Sequence, residues 1–255
     1  MDDFFNRDVS QIILAECKKS EEIKKSNGYL CFKTIQTFRK SFFIYKHNYI
    51  SWKKALIEYY SDEQNSTSNS VKRYFRQRVL ITKIHNVLSS STTFNEIYNK
   101  GQLEDSFHCF IKELRNFTMH KQYFPLRSHM EYTVYEDRKF ESFQKDKFQT
   151  YLQNQIIEHA KWEGLKRALE FLINVLGSID LEDLLKKYDK KMDDFFNNFI
   201  KDYIGQNMNL FLELIKETEE VHFNLLKINK LPKYPLSSAE LRYLKLIINC
   251  SNNQK

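Results

Sequence analysis

Between Leu103 and Thr118 the apolar positions Leu103, Phe107, Phe110, Ile111, Leu114, Phe117 and Thr118 recur at spacings of 4, 3, 1, 3, 3 and 1. At 3.6 residues per turn they fall on one stripe, which predicts an amphipathic helix facing a core. Pro125 limits how far that helix can run. The rest of the chain agrees with a helical core. Apolar residues make up 42% and aromatics 15%, enough to bury a sizeable interior. With only 5 Gly and 3 Pro, a loop-rich sandwich or barrel is disfavoured. At 255 residues the chain suits one large domain, or a core domain with an extension.

Further helical patterns cover residues 3–26, the stretch from Ser51 (SWKKALIEYY), and about Val71 to Lys100, with a break expected near SSSTT (89–93). Tyr29 to Tyr45 mixes aromatic and β-branched residues with no clean period and reads as strand or helix. NSTSNS (65–70) is a polar loop. MEYTVYEDRKFESF (130–143) predicts two short strands around Glu136, Asp137 and Arg138. Helical patterns resume near Phe148 and break at Gly177 and Ser178. Asp180 with Asp183 marks a fresh helix start. Helices are expected over about 181–204 and 206–228, then a linker, LPKYPL (231–236), and a last helix in SSAELRYLKLII. The hexamer MDDFFN occurs at Met1 and Met192, but the flanks do not match, so it is no internal repeat.

The net charge is +7, and it is uneven. Residues 1–128 hold 21 Lys/Arg against 13 Asp/Glu, a net +8; residues 129–255 hold 19 against 20, a net −1. An electropositive first half suits an anionic partner such as nucleic acid, or is a solvated basic surface. Lys72, Arg73 and Arg76, in VKRYFRQR with Tyr74 and Phe75, are candidate contacts to an RNA backbone; the other reading is a solvated helix face. Cys17, Cys31, Cys109 and Cys250 are scattered and form no CxxC pair, so neither a structural zinc site nor a disulfide framework is suggested. The start lacks the pattern of a secretory signal, and no apolar run approaches the ~20 residues that cross a bilayer. A soluble, reduced, cytoplasmic protein without membrane contact is expected.

The helix predicted from the stripe ends in ELRNFTMHKQYFPL (113–126). On a straight helix Arg115 and His120 point about 140° apart, whereas Asn116 and His120, four apart, share a face. Fraying before Lys121, encouraged by Pro125, would let His120 swing toward Arg115. Two chains around a dyad would double the cluster. An imidazole can move a proton to or from a ribose hydroxyl or leaving oxygen. A guanidinium can hold a phosphate through two hydrogen bonds and stabilise its transition-state charge. An amide can fix the imidazole tautomer. With the 2′-OH as nucleophile, no metal is required and DNA is inert.

Arg115-Asn116-x-x-x-His120 at the end of an amphipathic helix resembles the motif of the HEPN superfamily. The preceding HNVLSSSTTFNEIYNK (85–100) resembles the helix before the motif helix in some bacterial members. The resemblance covers about residues 70–177, a core followed by a C-terminal helical extension over about 178–255 within one mainly helical domain. It implies a helical bundle, here with a small β-hairpin insertion, and a homodimer with its active site at the interface. It implies metal-independent endoribonuclease activity with no cofactor, of a toxin or anti-phage type. Arg115, Asn116 and His120 carry over as catalytic residues, with an antitoxin or regulatory protein as a further partner. The alternative is an inactive member that binds nucleotide or a protein partner.

Other chemistry in the chain is weaker. Arg78-x6-His85 fits the bare spacing but lacks a polar residue after the arginine. Glu219-x-x-His222 puts a carboxylate and an imidazole on one helix face, as carboxylate-bridged di-iron bundles require. Its only near match, Asp105-x-x-His108, is poor, and an incidental surface pair is the other reading. His108, seven residues before Arg115, reads as a half-buried helix histidine or an auxiliary site residue. His47, His129 and His159 have no partner spacing, and no phosphate loop, nucleophile elbow or zinc-protease motif occurs.

Overall fold

A computed structural model describes residues 2–64, 70–98, 105–121, 126–132, 137–143, 145–159, 162–175, 179–227 and 235–252, with side chains for 9–60, 75–96, 105–118, 148–159, 162–175, 179–227 and 235–250. The protein is mainly helical. In chain order come α1 (Asp2–Ile23), α2 (Asn27–Gln64), α3 (Ser70–Tyr98), α4 (Ser106–Lys121), β1 (Leu126–Tyr132), β2 (Asp137–Phe143), α5 (Lys145–Glu158), α6 (Glu163–Asn174), β3 (Ile179–Asp180), α7 (Leu181–Gln206), α8 (Met208–Lys227) and α9 (Ser238–Asn252). Backbone pairing joins β1 to β2 antiparallel, with Leu126 opposite Phe143, and β2 to β3 antiparallel. The residues between β1 and β2, the NSTSNS loop up to Asn69 and most of the LPKYPL linker lie outside the described residues.

The ambiguous stretch from Tyr29 to Tyr45 is helix, part of the 38-residue α2. Its buried residues are Phe32, Ile35, Phe38, Phe42, Tyr45, Tyr49, Trp52, Leu56 and Tyr59. They step by three or four throughout, as a helix stripe must. The period is hard to read because Leu30, Phe43, Ile44, Ile50 and Ile57 are apolar yet exposed. The expected break at SSSTT does not occur. Ser90 Oγ donates to the Asn86 carbonyl at 2.7 Å, Ser91 Oγ to that of Leu88 at 2.9 Å, and Thr92 Oγ1 to that of Leu88 at 2.8 Å. Hydroxyls folded onto the preceding turn let α3 continue.

The chain divides into two units, residues 1–37 with 195–255, and residues 38–194; the boundaries fall within α2 and α7. In the first unit α1 packs on α8, and α8 on α9. The core there includes Ile23, Phe32, Ile204, Phe211, Val221 and Leu244. Burying a side chain of this kind contributes roughly 1.5–3 kcal/mol. Helix α9 opens with a capping box: Ser237 Oγ accepts from the Glu240 N–H at 3.2 Å, and Glu240 Oε2 accepts from the Ser237 N–H at 2.8 Å. Asp180 caps α7 as its sequence indicates, its Oδ1 accepting from the Glu182 N–H at 2.8 Å.

In the second unit α4 packs most extensively against α6 and also meets α3 and α5. Phe38 and Phe42 of α2 lie against Phe94 of α3, with ring centroids 4.7 and 5.4 Å apart. Lys46 of α2 bonds to Asp189 at 2.8 Å and Asp193 at 3.1 Å, and the Tyr45 hydroxyl donates to Asp189 at 3.1 Å. Burial works against the Lys46 charge, but the bonds to these two carboxylates outweigh it and raise its pKa.

One close helix approach gives a stability test. A Cβ on Gly28 of α2 would lie 2.6 Å from the Leu210 carbonyl oxygen of α8, a backbone atom that cannot turn aside. Gly28→Ala is expected to lower the urea midpoint by the equivalent of about 1–3 kcal/mol, as overpacking does. Gly205→Ala, where nothing lies within 4 Å, is expected to be neutral or to stabilise, by up to ~1 kcal/mol.

Candidate functional site

Helix α4 is buried on more than its apolar stripe. Besides Phe110, Ile111, Leu114, Phe117 and Thr118 of the stripe, it buries His108, Cys109 and Glu113, while Phe107 is half-buried and Leu103 lies outside the described residues. Phe110 and Phe117 both meet Phe148 of α5 edge-on, and Phe107 stacks on Phe171 of α6 at 5.0 Å. With α3, α5 and α6 around it, the helix has little surface left for solvent, so its polar side chains must find partners inside.

His108 is only 4% exposed rather than half-buried. Its Nδ1 lies 2.7 Å from the Tyr188 hydroxyl, and its Nε2 meets the side-chain amide of Asn95. Burial, and then the charge of Lys112, push its pKa down to about 4, so the ring is neutral at physiological pH. A neutral ring has one N–H and one acceptor, and both nitrogens are engaged. That makes His108 a structural bridge from α4 to α3 and α7 and removes it as an auxiliary acid or base. The Asp105-x-x-His108 spacing has a structural cause as well: Asp105 Oδ1 accepts from the His108 N–H at 2.8 Å, an N-cap, and its carboxylate pairs with Lys191.

A cleft of about 510 Å³ opens beside this network. It is lined by Asn95 and Glu96 of α3, by Lys112, Glu113, Arg115 and Asn116 of α4, and by the start of α6, including Trp162 and Arg167. Of the predicted catalytic residues, Arg115 and Asn116 therefore share one cavity. Arg115 Nε is buried and has no hydrogen-bond partner. Asn116 Nδ2 donates to Glu113 Oε2 at 3.3 Å, and Glu113 is 6% exposed. Tyr151 of α5 is pushed up to about 12, by burial and then by the charges of Glu113 and Glu158. Lys112 pairs with Glu96 at 3.7 Å. The formal charges of the lining balance, with Lys112, Arg115 and Arg167 against Glu96, Glu113 and Glu163.

His120 lies in the last turn of α4, and its side chain is outside the described residues. The fraying expected before Lys121 does not occur: α4 is helical through Lys121. Backbone positions 115 and 120 therefore stay about 140° apart around the helix axis. The side chains of Lys72 and Arg73 are also outside the described residues. Arg76 does not line the cleft; its Nη1 donates to the Glu58 carbonyl at 2.9 Å.

Glu113, Asn95 and Trp162 are among the lining residues that the sequence did not single out. Asn95 lies inside the stretch 85–100 that precedes the motif helix, which is the one signal that pointed toward it. The histidines of the rival motifs have other partners. His85 of the second Arg/His pair sits 3.5 Å from Thr118 Oγ1 and 3.4 Å from Ser89 Oγ. In the Glu219-x-x-His222 pair, Glu219 pairs with Lys245 and His222 Nε2 meets the Leu236 carbonyl at 3.0 Å. Among the described residues, no group of three or more His, Cys, Asp or Glu side chains is arranged to hold a metal, and no helix is long and apolar enough to cross a membrane. Comparison with protein-family models, with curated proteins and with solved structures finds no match to this chain.

The buried imidazole makes stability depend on pH. Its folded pKa of about 4 lies below the unfolded value, which is ~6.5. Its contribution is therefore complete above the unfolded value and lost progressively as pH falls toward 4. Denaturation between pH 7 and 4 is expected to show a fall of up to about 3 kcal/mol from this group. His108→Gln is expected to remove that part of the slope and to lower stability at pH 7.

Proposed function

We propose that the chain is a metal-independent endoribonuclease of the HEPN type, acting in the cytoplasm as a toxin or anti-phage effector. The observation that carries this reading is Arg115. Its guanidinium has a buried Nε without a hydrogen-bond partner, it lines a cleft beside Asn116, and it belongs to the R-N-x3-H motif that closes α4. An arginine that lines a cleft favours an anionic occupant, and a phosphate matches a guanidinium.

In this reading the ribose 2′-oxygen attacks the neighbouring phosphorus while His120 moves the proton. The 5′-oxygen leaves, giving a 2′,3′-cyclic phosphate. Arg115 holds the phosphate and stabilises the added charge. Asn116 orients His120, and Glu113 in turn fixes the Asn116 amide. With backbone positions 115 and 120 on different sides of α4, a homodimer supplies the pair across its interface. The paired strands β1 and β2 are then an insertion after the motif helix, and the helices from about residue 178 are an extension. Lys72 and Arg73 remain proposed contacts to the RNA backbone, with Arg76 held by Glu58 at their edge. An antitoxin or regulatory protein is the further partner.

The second reading is an inactive helical protein of the same type that binds nucleotide or a protein partner. The unfrayed α4 favours it, because backbone positions 115 and 120 lie about 140° apart around the helix axis.

Cleavage of structured and unstructured RNA in EDTA separates the two. The wild-type protein is expected to release 2′,3′-cyclic phosphate ends and to leave DNA intact. His120→Ala and Arg115→Ala are each expected to reduce the rate by at least about 100-fold. Cleavage retained in both variants, products with a 3′-hydroxyl, or no cleavage by folded dimer would overturn the nuclease reading.

A further inference from the structure

The outward face of α2 carries a row of apolar side chains. Phe43, Ile50 and Ile57 are 51%, 51% and 62% exposed, and they lie seven residues apart. Seven residues make two helical turns, so the three side chains line up along the helix. Ile44, 60% exposed, stands on the other side of the same face. Apolar residues scattered singly over a surface need no explanation, but a row in register does.

A second row runs beside the first. Lys40, His47 and Lys54 are exposed, and each stands three residues before one of the apolar positions. Together the two rows step by three and four, the spacing of a helix seam, with apolar side chains at one core position and Lys or His at the other. At 100° per residue the Lys40–His47–Lys54 row lies near the middle of the exposed face, between Ile44 and the Phe43 row. Acidic residues are scarce here: residues 38–60 hold five Lys/Arg against one Asp/Glu, Glu58 at the far end of the face. Lys46, at the edge, is matched by Asp189 and Asp193 of α7, and the Arg39 guanidinium lies 5.0 Å from the Phe43 ring. Among the described residues, Lys40 and Lys54 form no ion pair.

We propose that this face of α2 docks an acidic amphipathic helix of a protein partner. The partner helix lays leucine or isoleucine on the Phe43–Ile50–Ile57 row and sets glutamate or aspartate against Lys40, His47 and Lys54. Charge complementarity decides among the occupants. A second copy of the same face would set lysine against lysine along the seam, and like charges there oppose pairing. A bilayer surface suits a helix whose cations flank an apolar strip and reach out to the headgroups, whereas these stand in the middle of the face. A nucleic acid would match the lysines but leave Ile50 and Ile57, which have no ring to stack, without a counterpart. From Lys40 to Ile57 the face runs about 26 Å, the length of a partner helix of roughly 18 residues. The proposal is independent of the nuclease reading, since none of its residues belongs to the R-N-x3-H motif or lines the cleft.

The probe is a synthetic peptide about three heptads long, with Leu at one core position of each heptad, Glu at the other, and Ala and Gln elsewhere. A control of the same composition exchanges Leu and Glu in its middle heptad, which breaks both rows at unchanged net charge. A third peptide carries Lys in place of each Glu. Fluorescence anisotropy of the labelled peptides, titrated with the whole chain, is expected to show saturable binding of the Leu/Glu peptide with a Kd of about 100 μM or below, and binding of the control at least about tenfold weaker. Ile50→Gln is expected to weaken the Leu/Glu peptide about tenfold. Lys40→Glu combined with Lys54→Glu is expected to abolish its binding and to bind the Leu/Lys peptide instead. These positions are exposed, and circular dichroism checks that each variant is folded. No saturable binding up to about 1 mM, equal binding of the control, or affinities unchanged in both variants would overturn the proposal. Two further results overturn it by naming another occupant: co-flotation with phosphatidylcholine–phosphatidylserine vesicles that Ile50→Gln abolishes, or a sedimenting dimer that the same substitution converts to monomer.

Discussion

The second unit depends on the burial of α4 among α3, α5 and α6. A helix with one buried stripe can point its polar residues at water. Once α3, α5 and α6 surround it, each polar side chain must be matched inside or carry a desolvation cost of about 1–3 kcal/mol. His108 meets that demand with Asn95 and Tyr188, and Glu113 with Asn116. Arg115 Nε and Asn95 Oδ1 do not meet it. Both belong to residues that line the same cleft, which is why the cleft, rather than the bare motif, carries the functional argument.

The cleft exists because of where α6 begins. Trp162 and Gly164 come up beside Cys109, with the Gly164 Cβ position 3.7 Å from the Cys109 sulfur, so the start of α6 faces the polar positions of α4. A helix end offers N–H donors and the positive end of the peptide dipoles. Here it stands beside Arg115 and Arg167, in a lining whose formal charges cancel. Arrangement, rather than net charge, sets what this cavity can hold.

Much of the fold was legible in the residues. The stripe in α4, the start of α7 at Asp180 and the capped helix beginning at Ser237 each follow from local chemistry. The long α2 was not, since exposed Phe43, Ile44, Ile50 and Ile57 fill in the gaps that would reveal its period. SSSTT looked like a break because serine and threonine compete for backbone hydrogen bonds, yet in a buried helix that same bonding goes to the preceding turn. Arg115 and Asn116 were found from a local motif. Glu113, Asn95 and Trp162 were not, because they reach the cleft from three separate helices or positions whose spacing carries no signal.

The sequence by itself determined a helical chain, several of its helix boundaries and the placement of Arg115, Asn116 and His120 near one helix end. These are short-range matters of periodicity, capping and a proline, decided over a few residues. Only the tertiary structure decided that His108 is a neutral bridge between three helices, that Arg76 is bonded to the α2 backbone, and that Arg115 and Asn95 line one cavity with the start of α6. Those outcomes depend on desolvation and partner geometry between segments distant in sequence, and one-dimensional spacing does not encode either.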